Sequence, residues 1–215
     1  MTYTKSSLTR VRRMPERGHY DAATIYPIID EAIICHVGII DDGRPIVIPT
    51  IHARIDDTII FHGAPASRLL KQIQSGAPLC VTVTLLDGLV LARSAFHSSM
   101  NYRSAVLFGT GQLIEDIAEK THAFEAITNH VAQRRWDDVR PMTEVELAAT
   151  TVVRMRIEAA SAKIRTGPPS DDEDDYALPI WAGVLPLRLQ PGAPIDDPRL
   201  GAGLVPPPIV THYTR

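Results

Sequence analysis

The chain has 215 residues, of which 45% are hydrophobic and 22% are charged, and its formal net charge at pH 7 is -3. This length and composition suit a single globular domain with one core. Arg10, Arg12 and Arg13 form a local basic cluster, but the chain as a whole lacks the positive field that binds a nucleic-acid backbone. Nucleic acid is therefore not an expected partner.

The cysteines and the apolar runs indicate the compartment. Cys35 and Cys80 are too few for a disulfide framework and lack metal-site spacing, so we expect buried free thiols in a reducing environment. No apolar run approaches the roughly 18 residues that span a bilayer, and residues 1–20 carry no apolar signal-peptide core. We expect a cytoplasmic protein that does not bind membranes.

The first part of the chain predicts a polar arm, a short helix and a series of hairpins. Residues 1–20 are polar and basic, and Asp21 can cap a helix over residues 22–32. Three apolar runs then alternate with turn residues, which is typical of antiparallel strands. These runs are residues 32–40, 46–54 and 58–63. A short helix over residues 67–75 follows, ending at Gly76.

The middle of the chain continues with long strands and one longer helix. Residues 78–86 alternate with a period of two, and Asp87-Gly88 predicts a tight turn into the next strand. The remaining elements are a long strand that begins within residues 95–109, a helix over residues 117–133 and strand structure over residues 151–166. Six or seven short strands with inserted helices predict an antiparallel β-barrel with flanking helices.

The end of the chain changes in composition. Residues 167–179 read as a solvated acidic loop, and residues 180–192 as one more strand or a docking segment. The Pro-rich end predicts an extended tail. We therefore expect three parts: an N-terminal arm, a barrel domain and a tail. Their ranges are residues 1–20, 21–190 and 191–215.

A polar cluster opens the long strand. On a strand, Asn101 and Arg103 share one face about 6 to 7 Å apart, so an amide and a guanidinium could bind the same anionic or carbonyl-rich ligand. The alternative is that Arg103 pairs with an acidic residue at the rim of the barrel.

A second polar cluster opens the short helix. The strand that ends at His62-Gly63 is followed by Ser67, Arg68 and Lys71, where a hydroxyl, two cations and the helix start could bind phosphate. The alternative is an ordinary helix cap with solvated cations.

The histidines and serines give weaker signals. His36, His52, His62 and His97 lack the spacing of a helical metal site, so no metal site is predicted. The serines after His97 lack a nucleophile elbow and an identifiable base. A Gly-rich dinucleotide or P-loop motif is also absent from the sequence.

Three sequence blocks, taken in order, resemble a known family. They are "ICHVGIIDDGRPIVIPTIHARIDDTIIFHGAPASRLLKQI", "FHSSMNYRSAVLFGTGQLI" and "WAGVLPL". Together they resemble the pyridoxamine 5'-phosphate oxidase-like superfamily of FMN-binding split β-barrels, in the branch of flavin-nucleotide-binding proteins and nitroimidazole-resistance reductases. The resemblance covers residues 22–190. The chain lacks the family's C-terminal R-x-H-D-R substrate motif, so the resemblance does not extend to vitamin B6 oxidation.

The resemblance implies FMN as cofactor and a homodimer with flavin at the interface. It assigns the phosphate to the strand end and helix start already described, and the isoalloxazine ring to the backbone of the preceding strand. It assigns further flavin contacts to the Asn-Arg pair of the long strand and a cover over the partner's cofactor to a C-terminal aromatic side chain. The phosphate residues are His62, Gly63, Ser67 and Arg68, and the ring lies along Pro49, Thr50 and Ile51. The Asn-Arg pair is Asn101 and Arg103, and the aromatic side chain is Trp181.

The resemblance also implies an oxidoreductase that reduces a small organic acceptor with a nicotinamide donor. No side chain is assigned as a catalytic base, because a flavin itself performs electron or hydride transfer. The alternative is a binding or storage protein of the same fold that holds flavin, deazaflavin or haem. Neutral imidazole binds haem iron, so His36 or His97 could be an axial ligand.

Overall fold

A computed structural model describes residues 1–214 of the chain, and Arg215, the last residue of the expected tail, lies outside the described residues. Eleven strands and five α-helices occur in the described residues. The strands are β1 Gly18–His19, β2 Ile34–Asp41, β3 Arg44–Ile51, β4 Ala53–Ile55, β5 Thr58–Gly63, β6 Leu79–Leu91, β7 Ser99–Gly109, β8 Gly111–Leu113, β9 Thr151–Arg156, β10 Ala159–Arg165 and β11 Gly183–Pro186. The helices are α1 Ala22–Glu31, α2 Arg68–Gln74, α3 Ile117–Val131, α4 Glu144–Ala149 and α5 Pro208–Thr211.

Two antiparallel sheets form the body of the protein. The larger sheet has the order β1-β10-β7-β6-β2-β3, with β11 added beside β6, and the smaller has the order β4-β5-β9-β8. The chain crosses from the larger to the smaller sheet twice, and each connection is a single residue, His52 or Thr110. Apolar side chains of both sheets, among them Val37, Phe61 and Leu107, are buried between them. The predicted split antiparallel barrel with flanking helices is confirmed.

The helices begin where capping residues were expected. The Asp21 carboxylate accepts a hydrogen bond from the Thr24 N–H at the start of α1. The Ser67 hydroxyl accepts one from the Leu70 N–H at the start of α2. The helix expected over residues 117–133 is α3, and it begins after the capping Asp116. Local side-chain acceptors for the first free N–H groups therefore set these helix starts.

Two local predictions are wrong, and one helix was missed. Asp87-Gly88 is not a turn: β6 continues through it, and the register with β7 shifts between Leu86 and Gly88, so that Asp87 is the extra residue of a β-bulge. The capped helix α4 was not predicted, although Thr143 and Glu146 form a capping box. The tail is not extended throughout, since α5 forms one helical turn after Pro207.

The chain segments outside the barrel differ in how they contact it. Tyr3 is buried, its hydroxyl is 2.9 Å from that of Tyr26, and β1 pairs with β10, so the N-terminal segment lies against the body. The acidic loop is not simply solvated, because Asp171 binds both the backbone and the guanidinium of Arg93. Residues 188–205, in contrast, are all exposed.

Gly109, the last residue of β7, gives a test of this packing. A Cβ atom at that position would lie 1.9 Å from the carbonyl oxygen of Arg156, which belongs to the backbone of β9. We expect Gly109→Ala to lower the free energy of unfolding by about 1 to 3 kcal/mol, as overpacking does. Urea denaturation measures this change. The control is Gly38→Ala, whose Cβ would make an ordinary 3.5 Å contact; equal stability of both variants would contradict the prediction.

Candidate functional site

The two polar clusters that the sequence singles out lie at opposite ends of β2. The guanidinium of Arg68 is 3.6 Å from Asp41, the last residue of β2. Arg103 instead binds Glu31, three residues before β2 begins. Because a strand rises about 3.3 Å per residue, the eight residues of β2 separate the clusters by roughly 23 Å. One chain alone therefore does not bring them together.

The cluster at the start of α2 presents cations to solvent. The Ser67 hydroxyl caps the helix, and Arg68 has a 57% exposed side chain beside Asp41. Lys71 is exposed one turn further along. Gln72 donates a hydrogen bond to Asp41 and holds α2 against the end of β2. This cluster therefore offers an accessible guanidinium and ammonium on a fixed helix.

His62 adds a buried polar atom to the strand that leads into this cluster. Its Nδ1 is buried and has no hydrogen-bond partner within residues 1–214. Its ring meets the edge of Phe124 on α3, with 5.6 Å between centroids. Burial lowers the pKa of this imidazole below its ordinary value. An unsatisfied buried nitrogen fits a ligand that supplies a hydrogen bond.

The backbone around Gly63 lies close to α2. A Cβ atom at this residue would lie 3.2 Å from the Leu70 side chain. Glycine therefore leaves room at the strand end for the close approach of helix and strand.

Pro49, Thr50 and Ile51 lie in β3, which is the edge of the larger sheet. Thr50 faces inwards, whereas Pro49 and Ile51 point to the exposed outer face. Register places Pro49 and Ile51 opposite His36 and Ile34 of β2. The outer face of this hairpin is therefore mostly apolar, with one imidazole among proline and isoleucine side chains.

Arg103 lies at the other end of β2 between two carboxylates. It donates hydrogen bonds to both oxygens of Glu31 and both oxygens of Asp87. These bonds raise the pKa of the guanidinium further above its ordinary value. They use four of its five N–H groups, so that one N–H of Nη1 is left for a ligand. The expected rim ion pair is thus present, and it couples α1 to the bulge of β6.

Asn101 is held by a residue that sequence reasoning missed. Its Oδ1 accepts a hydrogen bond from Arg165 of β10, and its Nδ2 donates one to the carbonyl of Gly167. Arg165 is 8% exposed, and it donates hydrogen bonds to the neutral Asn101 side chain and to the carbonyls of Gly167 and Pro168. Burial, and secondly the nearby charge of Arg17, lower the pKa of Arg165. No signal in the sequence joins residues so far apart in the chain.

The C-terminal part of the chain covers the polar mouth of β7. His97 lies 3.3 Å from the Asp172 carboxylate, and its ring meets the edge of Phe96. Trp181 is 68% exposed, and its ring lies against Gly183, where a Cβ would approach within 2.9 Å. A large indole surface is therefore displayed beside the mouth.

Neither a metal cluster nor a membrane-spanning helix occurs in the part of the chain that the structure describes. Within residues 1–214, no group of three or more His, Cys, Asp or Glu side chains is arranged to hold a metal ion. In the same residues, no helix has the length and apolarity to cross a membrane.

Comparison with known proteins identifies the family. The profile described as pyridoxamine 5'-phosphate oxidase matches residues 21–164, about two thirds of the chain. The chain belongs to this family. The resemblance that the three sequence blocks indicated is therefore confirmed. Comparison with curated protein sequences gives no match.

Solved structures agree with the family assignment. The flavocytochrome Anf3 from Azotobacter vinelandii is 39% identical, with 99% of each chain covered and a TM-score of 0.91. The FAD and heme binding protein from Mycobacterium smegmatis is 37% identical, over 92% of this chain and 97% of that one, with a TM-score of 0.87. A candidate 5-nitroimidazole antibiotic resistance protein from Bacteroides thetaiotaomicron is 28% identical, over 67% of this chain and 84% of that one, with a TM-score of 0.58.

The burial of His62 predicts a pH dependence. Because the folded pKa is lower than that of the unfolded chain, the unfolded state takes up a proton first as the pH falls. The contribution of neutral His62 is fully present above the unfolded pKa of about 6.5 and is lost as the pH falls towards the folded pKa. We expect the wild type to lose more unfolding free energy than His62→Gln between pH 7 and pH 5, measured by urea titration. Parallel losses in the two proteins would contradict this.

Proposed function

We propose that the protein is a redox protein that binds a flavin nucleotide and a haem and works as a homodimer in the cytoplasm. The observation that carries the proposal is the similarity to a flavocytochrome over essentially the whole length of both chains. The second similar structure is that of a protein described as binding FAD and haem. Similarity over a full chain at this identity supports a common set of cofactors more strongly than similarity of fold does.

The flavin phosphate is assigned to the cluster at the start of α2. Arg68 and Lys71 supply positive charge, the backbone at Gly63 leaves space, and the buried Nδ1 of His62 supplies a hydrogen-bonding atom. Ser67 sets the start of α2 and hence the position of both cations. This chemistry suits FMN and also the pyrophosphate of FAD, so the mass of the nucleotide released on denaturation distinguishes the two.

The isoalloxazine ring is assigned to β3 at the interface of two copies. Pro49 and Ile51 provide exposed apolar surface there. Because Asn101 and Arg103 lie far from Arg68 in one chain, a single flavin ring near Arg68 would reach them from the other copy. Trp181, with its exposed indole, is assigned to the cover over the partner's cofactor. The site is therefore complete in a dimer.

The haem is assigned to the outer face around His36. This imidazole is exposed between Pro49 and Thr82, and no hydrogen bond or ion pair engages it within residues 1–214. This imidazole would hold the haem iron through a ring nitrogen, and exposed apolar side chains of the same face, such as Ile51, would suit the apolar macrocycle. His97 is less suitable, since Asp172 and Phe96 already contact its ring.

The cofactors supply the redox chemistry, and the protein binds and orients them. When bound, a flavin accepts a hydride from a nicotinamide donor and haem exchanges single electrons. The side chains described above would bind the phosphate and cover the ring. The electron acceptor would be a small molecule, organic as the sequence resemblance implies. No side chain needs to act as a base.

A phosphate-binding role for Arg68 predicts weaker flavin binding in Arg68→Ala. Loss of one charge-assisted hydrogen bond costs about 1.5 to 3 kcal/mol, so the flavin Kd should rise roughly tenfold to a hundredfold. Fluorescence titration of apoprotein with FMN and with FAD measures it. Arg134→Ala, which removes another exposed arginine, 83% exposed and beyond α3, is the control. An unchanged Kd in Arg68→Ala would contradict the assignment of the phosphate.

The assignment of His36 predicts a specific spectral change. After reconstitution with haem, His36→Ala should lose the Soret band of the wild type or show the shifted band of haem without this ligand, and added imidazole should restore it. His97→Ala should keep the wild-type spectrum. The opposite pattern would identify His97, and not His36, as the haem ligand. If the wild type binds flavin but no haem, the haem part of the proposal is wrong.

A further inference from the structure

We infer that the buried guanidinium of Arg165 is a binding site for an oxyanion, the carboxylate or phosphate group of a small molecule. The proposed function gives this residue no ligand of its own. Arg165 is the last residue of β10, and its partner across the sheet is Tyr102 of β7. It therefore lies at the mouth of β7, next to Asn101.

Arg165 is a buried cation without a carboxylate partner. It is 8% exposed, and within residues 1–214 no carboxylate oxygen lies within 4.0 Å of its guanidinium nitrogens. Arg54, Arg93 and Arg103 each bind at least one carboxylate, although their side chains are 19%, 21% and 30% exposed. Removing a charge from water costs free energy that a counter-charge normally offsets. A bound anion would supply the counter-charge that this chain does not give Arg165.

The hydrogen bonds of Arg165 leave part of its guanidinium open. Nη1 donates to the Asn101 side chain and to the carbonyl of Gly167, and Nη2 donates to the carbonyl of Pro168. The Nε–H and one N–H of Nη2 therefore have no acceptor within the described residues. In Arg93 the Nε that lacks a partner is sealed from solvent, whereas the Nε of Arg165 is not sealed. A ligand can therefore reach it.

The same pair of nitrogens binds carboxylates elsewhere in this protein. Nε and Nη2 of Arg54 donate to the two oxygens of Asp30 at 2.9 and 2.6 Å. Nε and Nη2 of Arg103 donate to the two oxygens of Asp87 at 3.0 and 2.7 Å. Carboxylate and phosphate groups fit a guanidinium in this way because two of their oxygens match the spacing of its N–H groups. Arg165 offers the same two nitrogens to a ligand.

A second guanidinium adds positive charge to the site. Arg17 immediately precedes β1, whose Gly18 pairs with Lys163 of β10, and its charge acts on Arg165. The carboxylate of Glu16 is 3.9 Å from Arg17, on a side chain that is 63% exposed, so water screens it. Two cations that lie near each other are both stabilised by an anion beside them. The local charge therefore favours an anionic ligand over a neutral one.

The position of the site indicates what kind of molecule carries the oxyanion. Arg165 holds Asn101, which the proposed function assigns to the flavin. A small molecule bound at Arg165 through its acid group would lie beside that flavin, where an electron donor or acceptor must bind. This link to the redox reaction rests on the proposed function, whereas the oxyanion site rests on the contacts of Arg165 alone.

The test titrates FMN-saturated protein with inorganic phosphate and, separately, with acetate, at constant ionic strength in KCl. Two-dimensional ¹H–¹⁵N NMR follows the Nε–H signal of Arg165 and the backbone N–H signal of Gly167. Arg165→Lys keeps the positive charge but lacks the paired donors, and Arg17→Gln removes the second charge. The control is Arg156→Gln, which removes a 73% exposed arginine of β9.

We expect both signals to shift and to saturate with at least one of the two anions, and the tighter anion identifies the acid group. The Kd read from the Gly167 signal should rise at least about tenfold in Arg165→Lys, because an ammonium lacks the paired N–H groups. It should rise about threefold in Arg17→Gln, which removes only a neighbouring charge. The control should leave it within about twofold.

Signals that stay in place, or that shift without saturating, with both anions would overturn the inference, as would an unchanged Kd in Arg165→Lys. If circular dichroism shows that Arg165→Lys does not fold, the Nε–H titration of the wild type and the Kd of Arg17→Gln decide instead. The proposed function fails in a different way: a protein that binds the anion at Arg165 but takes up no FMN contradicts the flavin assignment and leaves this site standing.

Discussion

The antiparallel pairing of β6 with β7 is the constraint on which the rest of the site depends. These are the longest strands of the protein, and their register runs from Leu79 opposite Gly109 to Val90 opposite Ser99. The bulge in β6 adds Asp87 to one strand only, so that its carboxylate meets Arg103 of the other strand. That ion pair also reaches Glu31, and it thereby fixes the end of α1 and the start of β2 relative to the sheet.

The length of β2 then decides how the site can be built. One end of this strand carries the ion pairs of Arg103, and the other carries Arg68 beside Asp41. A strand is stiff and cannot bring its own ends together. A second chain with the opposite orientation can, because a twofold axis places opposite ends of two equal strands side by side. The separation within one chain is therefore the reason for proposing a dimer for a site that uses both clusters.

Buried polar groups keep the mouth of β7 in one conformation. Within the described residues, Arg165 donates hydrogen bonds to neutral groups only, and Arg93 binds Asp171, whose side chain is fully buried. Each of these contacts joins a strand or loop of the barrel to the segment that follows β10. The carbonyls of Gly167 and Pro168 accept hydrogen bonds from Arg165, and Asp171 accepts them from Arg93, so these contacts hold the start of the segment that leads to Trp181. The exposed residues 188–205 follow this segment.

The sequence determined the features that depend on neighbouring residues. Asp21 and Ser67 cap the helices that follow them, and alternation along residues 79–86 and 101–108 groups the side chains on the same faces as in the structure. The three sequence blocks, taken in their order along the chain, were enough to indicate the family. These signals are local because capping and pleating act over a few residues.

Only the tertiary structure decided the features that depend on distant residues. The Asp-Gly pair after Leu86 is a bulge rather than a turn because β7 pairs on both sides of it, and that pairing overrides the local preference. Three further features likewise follow from how the strands are arranged. They are the hydrogen bond from Arg165 to Asn101, the buried His62 nitrogen without a partner in the described residues, and the roughly 23 Å between the two cation clusters. Spacing along the chain does not encode distance across a sheet, because the order of the strands in space differs from their order in the sequence.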